Sequence, residues 1–292
     1  MEVKRPTTLD EQIEKLKERG CIIGDEGYAK QVLGQINYYR LTAYFLPFTN
    51  NKGRYHANTT FNIVHRTYLF DSQLRSLVFS VIEKIELYFR SQIAYYHAHK
   101  YGALGYMNEG YYSHKHDHKK FCERIADRIE KSKNQPFVSH HIDNYDGNFP
   151  IWVLVELFTT NDISLFYSDL CTADQKHLAK NSFGTHYKSL CSWLHCLTIL
   201  RNYCAHYSRL YYTIFPAQPA VPPKFSEYTS YTFWKQVFGY ILVLKFLYPS
   251  PERWISSVLA PLEALIDEYS DCIQLKHIGF PDNWKALLMK DP

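Results

Sequence analysis

Apolar positions return every three to four residues through most of this chain, and strand-like alternation is scarce, so the pattern is that of packed helices. In LDEQIEKLKERG the residues Leu9, Ile13 and Leu16 share one helical face, with Thr7 and Thr8 before them and Gly20 as a stop. A second helix is predicted from about Asp25 to Ile36. NYYRLTAYFLPF reads as a buried aromatic helix broken at Pro47, and the turn-rich NNKGRYHANTTF as a loop or short hairpin. The longest amphipathic text runs from Asn62 to about His99, where Leu69, Leu74, Leu77, Val78, Val81, Ile82, Ile85, Phe89, Ile93 and Tyr96 keep the period until Gly102 and Gly105.

The second half continues in the same manner. SHKHDHKKFCERIADRIEKSK predicts a loop and an exposed helix, HHIDNYDGNFP a loop closing at Pro150, and IWVLVELFTTNDISLFYSDL one buried helix. A short polar helix is predicted from about Asp174 to Phe183 and a long one from Tyr187 to about Tyr212. PAQPAVPPKF, with four prolines, reads as a strap across the surface, and two or three helices follow between Tyr231 and Lys290. The fold class is therefore all-α.

Composition adds a few limits. At 292 residues with 46% hydrophobic residues the chain can bury a large core. Aromatic residues reach 16%, enough to fill that core and to leave flat faces for stacking on bases. A net charge of +4 is too small to argue for a polyanionic partner without a local patch. Seven scattered cysteines with no C-x-x-C pair suggest reduced thiols and speak against a structural zinc site. The charged N-terminus and the lack of any run of 18 apolar residues lead to the expectation of a soluble, cytoplasmic protein with no membrane partner. No phosphate-binding glycine loop, cofactor motif or metal-ligand spacing is present, so no cofactor or metal is expected.

The stretch LRNYCAHYSRLYY, residues 200–212, carries the most distinctive chemistry. At about 100° per residue, Arg201, Asn202, His206 and Arg209 fall on one side of a helix together with His195 and Thr198. Trp193, Leu197, Leu200, Tyr203, Cys204, Tyr207 and Leu210 form the opposite, core-facing side, Leu194 being the exception. Such a polar face suits RNA cleavage. A histidine can move the 2′-hydroxyl or leaving-group proton, and an arginine fork can hold the charge that builds on the phosphate. The plainer reading is an interhelical polar network with neighbouring carboxylates.

Other candidates are weaker. Glu83, Glu86, Arg90 and His97 form a stripe on the long helix; Glu86 and Arg90 are placed to support Arg201 or His206, or simply to pair with each other. Arg90 and His97 also have the spacing of a second half-site. Tyr38, Tyr39 and Arg40 could stack on a base and hold a phosphate. His114, Lys115, His116, His118, Lys119 and Lys120 could chelate a metal, though without clustered carboxylates or Cys that spacing is unspecific, and they form the best basic patch for RNA backbone, against the plainer reading of a solvated loop.

The Arg201 to His206 spacing resembles the signature of HEPN-domain ribonucleases. DEQIEKLKERG, INYYRLTAYFLPF, FDSQLRSLVFSVIEKIELYFRSQIAYYHAHKYG and FPIWVLVELF, in that order from about residue 9 to 212, resemble successive blocks of the bacterial abortive-infection (Abi) family of AbiD and AbiF type. The resemblance implies a HEPN-like helical bundle at 61–215 with an insertion at about 103–149, flanked by an N-terminal helical region at 1–60 and a Pro-rich strap with C-terminal helices at 216–292. It further implies a metal-independent endoribonuclease toxin of anti-phage defence, held in check by an antitoxin RNA or protein and acting as a homodimer. Arg201 and His206 stand in the two signature places and would be its catalytic residues; the reading of the residues themselves adds Asn202 to position the pair, Arg209, Glu86 and Arg90 in support, and Tyr38, Tyr39, Arg40, Lys115, Lys119 and Lys120 on RNA. FTTNDIS departs from the family's turn there, and Ser208 stands where HEPN toxins regulated by nucleotide transfer carry a tyrosine. A non-catalytic RNA- or protein-binding module is the alternative, and metal-dependent hydrolysis comes third.

Overall fold

The computed structural model describes residues 5–291. Among them the chain is all-α: its helices are joined by 3-10 turns, no strand forms, and extended pairing is limited to isolated bridges at Ile22 with Thr60, Thr49 with Tyr55 and Tyr112 with Leu170. Helix α1 (Leu9–Glu18) begins with a capping box between Thr8 and Glu11, and α2 (Glu26–Gln35) is capped by Asp25. The aromatic segment forms a short α3 (Tyr38–Thr42) that tightens into a 3-10 turn over Ala43–Phe48, as Pro47 allows.

Helix α4 (Phe61–Tyr101) is the spine, about 60 Å long at 1.5 Å per residue. It stops at Gly102, whose φ of +81° costs a glycine little. Helices α7 (Ile151–Leu154), α8 (Thr160–Asp169), α9 (Thr172–Phe183), α10 (Tyr187–Ala205), α11 (Val237–Leu247) and α12 (Ala260–Glu268) all pack on it. One cluster of buried apolar side chains extends from Ile13 to Leu288, so the N-terminal helices, the bundle and the C-terminal helices share a core. The Pro-rich strap is fastened to the bundle: Trp193 Nε1 donates to Ala220 O at 2.7 Å, and Tyr240 Oη donates to Ala217 O at 2.8 Å.

Three local expectations are corrected. The stretch read as a loop before Pro150 is loop only over 145–150; its first part, His140 to Asn144, completes helix α6 (Pro136–Asn144), which Pro136 starts at its first turn after α5 (His118–Ser132). The single buried helix at 151–170 is two, because Thr159 leaves the helix and caps α8: its hydroxyl accepts from Asp162 N, and Asp162 accepts from Thr159 N at 2.9 Å. The long helix read to Tyr212 ends at Ala205, with α13 (Trp284–Met289) closing the chain far beyond it.

Candidate functional site

Between residues 200 and 212 no glycine or proline breaks the helix, yet α10 stops. The stop is a Schellman arrangement: Tyr207 N–H donates to Cys204 O at 3.1 Å and Ser208 N–H donates to Tyr203 O at 2.8 Å. Tyr207 holds the left-handed position at φ +56°, where glycine is usual. The force behind this turn comes from α4. Asp71, fully buried, accepts from Leu210 N and Tyr211 N (2.7 Å for the latter), from Tyr44 Oη at 2.6 Å and from Arg75 one turn on. Arg75 also reaches Ser208 O at 3.4 Å. Four donors on one carboxylate offset its desolvation, and the segment after α10 is held as a loop instead of a further turn of helix.

The side chains named from sequence divide accordingly. Arg201, half-buried, lays its guanidinium over the Phe79 ring at 5.9 Å and makes no hydrogen bond or ion pair among the described residues. Asn202 and His206 are exposed, and neither side chain makes a hydrogen bond there. A groove of about 390 Å³ runs along the α4–α10 seam, lined by Ser72, Arg75, Ser76, Phe79, Cys204, Ala205 and Tyr207; Arg201, Asn202 and His206 are not part of its lining. Thr198, placed on the polar face from sequence, is buried and donates to Leu194 O at 3.0 Å. Tyr207, placed on the core face, is 68% exposed. Arg209 lies outside the helix, and its two guanidinium arms donate to Ala43 O and Tyr212 O, so it fastens the loop to the N-terminal helices. Arg40 comes to the same place, donating to Tyr207 O at 2.6 Å, with Tyr39 beside it 86% exposed and Tyr38 half-buried.

A family model described as Abi-like protein matches residues 31–212, from within α2 to the loop beyond α10. The chain belongs to the Abi-like protein family. No curated protein and no solved structure matches it. Membership points to an abortive-infection defence role, and the matched span takes in Arg40, Asp71, Arg75, Arg201 and His206.

The remaining candidates of this Abi-like protein sit elsewhere. Glu86 and Arg90 pair at 2.6 Å; Arg90 also donates to Phe158 O, and Glu86 accepts from Thr160 Oγ1 at 2.7 Å. The pair thus splints the α7–α8 break to α4 and makes no hydrogen bond to Arg201 or His206. His97 is sealed in the core at 1% exposure, neither ring nitrogen has a hydrogen-bond partner among the described residues, and burial lowers its pKa to about 4. Arg90 and His97 are therefore not brought together as a second half-site. Lys115, Lys119 and Lys120 are exposed: Lys115 lies in a loop fastened to the end of α8 by Ser113 N donating to Asp169 O, and Lys119 and Lys120 in the first turn of α5, with Lys120 paired to Asp117 at 3.1 Å. His116 of that loop is buried against Tyr112.

Among the described residues no helix is long and apolar enough to cross a membrane, and no three His, Cys, Asp or Glu side chains gather as a metal-holding group. Asp71 and Arg75 are the residues that sequence reasoning missed. Their signal was a charged i, i+4 pair lying on the apolar side of α4 with Leu74 and Val78.

Proposed function

We propose that this Abi-like protein is a metal-independent endoribonuclease of abortive-infection defence, with its chemistry at the C-terminal end of α10. The observation that carries the reading is the contrast in how polar groups are used: Arg40, Arg75 and Arg209 are spent on backbone or carboxylate partners, whereas Arg201, Asn202 and His206 keep theirs unspent at an exposed helix end. In the proposed reaction His206 moves the proton of the 2′-hydroxyl or the leaving oxygen, Arg201 carries the charge that develops on the phosphate, and Asn202 orients the strand. Exposed Tyr39 and Tyr207 offer rings for unpaired bases next to these groups.

Arg201 and His206 stand about 140° apart around the helix axis, which suits a site completed by a second copy in a HEPN-type homodimer. An antitoxin RNA or protein covering the exposed helix end would keep such an enzyme silent. His206→Ala is expected to abolish RNA cleavage and growth inhibition while the helical circular dichroism stays that of the parent; cleavage unchanged in that variant would overturn the assignment. The second reading, a binding module, is favoured by the two exposed tyrosines. It predicts RNA retained uncut with affinity falling steeply with salt, whereas the nuclease leaves 2′,3′-cyclic or 3′-phosphate ends.

A further inference from the structure

The histidine-rich loop before α5, the first turns of α5 and the end of α8 together hold a second set of reactive groups, separate from the α10 site. Asp169, the last residue of α8, lies 3.0 Å from His116 Nδ1; His116 Nε2 lies 3.1 Å from His118 Nδ1; and His118 Nε2 lies 3.5 Å from Cys122 Sγ. With both imidazoles neutral, one placement of hydrogens satisfies the whole row. The ionised carboxylate can only accept, so His116 carries its proton on Nδ1 and offers the Nε2 lone pair. His118 must then carry its proton on Nδ1, which leaves its Nε2 bare toward the thiol. A bare imidazole nitrogen in reach of a thiol, its tautomer fixed from behind by a carboxylate, is how a base-activated nucleophile is built.

The surroundings hold this row in place. The His116 side chain is 1% exposed and stacks on Tyr112 with ring centroids 3.9 Å apart, with Phe121 against its edge. A carboxylate at the C-terminus of α8 faces the negative end of that helix's dipole, so Asp169 gains from an N–H donor there. Cys122 sits one helical turn after His118 on α5 and is half-buried. Cys21, Cys196, Cys204 and Cys272 are buried, and among the described residues the other half-buried thiols, Cys171 and Cys191, make no hydrogen bond to an imidazole. Burial pushes the Cys122 thiol up, so it rests as S–H and depends on a base to become a nucleophile.

We propose that Cys122 is a modification site, a thiol that His118 activates for oxidation by small hydroperoxides. His118 Nε2 takes the thiol proton and the sulfur attacks the terminal oxygen of the hydroperoxide. The S–O bond forms as the O–O bond breaks, and the departing oxyanion takes the proton from His118. Sulfur is oxidised by two electrons to a sulfenic acid and the hydroperoxide is reduced to an alcohol, or to water when it is hydrogen peroxide.

The test treats the native protein with limiting hydrogen peroxide in the presence of a sulfenic-acid trap and maps adducts by peptide mass spectrometry. Cys122 is expected to react about tenfold or more faster than Cys171 and Cys191. His118→Gln should bring it down to their rate without changing theirs or the thermal midpoint, and Asp169→Asn should slow it to an intermediate rate. A wild-type Cys122 no faster than Cys171 and Cys191, or one that keeps its rate in His118→Gln, overturns the proposal. The wild-type ratio is read without any variant and decides the matter even where a substitution prevents folding.

Discussion

Two charged turns meet across the seam between α4 and α10, and they use their charge in opposite ways. On α4, Asp71 and Arg75 have side chains 0% and 5% exposed, and the carboxylate takes four donors. At the end of α10, Arg201, Asn202 and the capping His206 are half-buried or exposed, and their side chains make no hydrogen bond among the described residues. Buried polar groups without partners are costly, so the first turn has to be complete and its role is to hold. Exposed groups can stay incomplete because water satisfies them, and it is this second turn that the proposed function uses. The α4 turn fixes where α10 ends, and so fixes where His206 stands.

If that division of labour is right, the largest effect on stability belongs to Asp71. Asp71→Ala strands Arg75, Tyr44 Oη and two backbone N–H groups in the interior and is expected to cost about 3–5 kcal/mol in chemical denaturation. A loss near 0.5 kcal/mol would mean that the carboxylate is not what shapes the loop, and the contrast with α10 would fail.

His97 tests burial in another way, through pH. Its folded pKa of about 4 lies below the ordinary 6.5, because the imidazole is desolvated and unpartnered. A depressed histidine contributes stability that is full above 6.5 and lost as pH falls toward 4, since the unfolded chain takes up the proton first. The shift corresponds to about 3 kcal/mol. Denaturation midpoints measured from pH 7 to pH 4 should fall accordingly, and His97→Phe, which keeps a flat ring in the site, should flatten that part of the profile. An unchanged slope in His97→Phe would assign the loss to other groups.

Much of the fold was legible because its helices are announced locally. The period from Leu69 to Tyr96 fixed α4, Thr8 and Glu11 marked the start of α1, and Asp174 to Phe183 lies within α9. The end of α10 was not legible, since nothing between residues 200 and 212 forbids a helix. It is imposed from over 130 residues away, where Asp71 accepts the N–H groups that another turn would have used. The break at Thr159 was visible in principle as a Thr-x-x-Asp capping box inside an apolar run. At the site, residue types pointed to Arg201 and His206, but no spacing rule reveals that Arg209 is spent on Ala43 O or that His116 is buried.

Tyr207 gives a smaller effect with a sign that is easy to get wrong. Its left-handed backbone costs a bulky residue about 1–2 kcal/mol, and its ring, 68% exposed, returns little through burial. Tyr207→Gly should therefore raise the thermal midpoint, through a stability gain on the order of 1 kcal/mol, while removing a ring that the proposed function places against RNA. Weaker RNA binding in a more stable protein would show strain kept for a purpose. A less stable Tyr207→Gly would mean that the ring packs after all.

The smallest expected change in stability is at Arg201, and it is the sharpest check on the contrast between the two turns. The guanidinium lies over Phe79 at 5.9 Å and has no hydrogen-bond or ion-pair partner among the described residues, so Arg201→Ala should cost about 0.5 kcal/mol, the scale of an exposed cation on an aromatic face. The same variant is expected to lose RNA cleavage, because a charge that stabilises the transition state cannot be replaced by packing. Arg201→Lys keeps the charge but not the planar fork, and should recover stability fully and cleavage only in part. If Arg201→Ala instead unfolded the protein as Asp71→Ala is expected to, Arg201 would belong with the residues that hold the seam, and the open turn would no longer be a site.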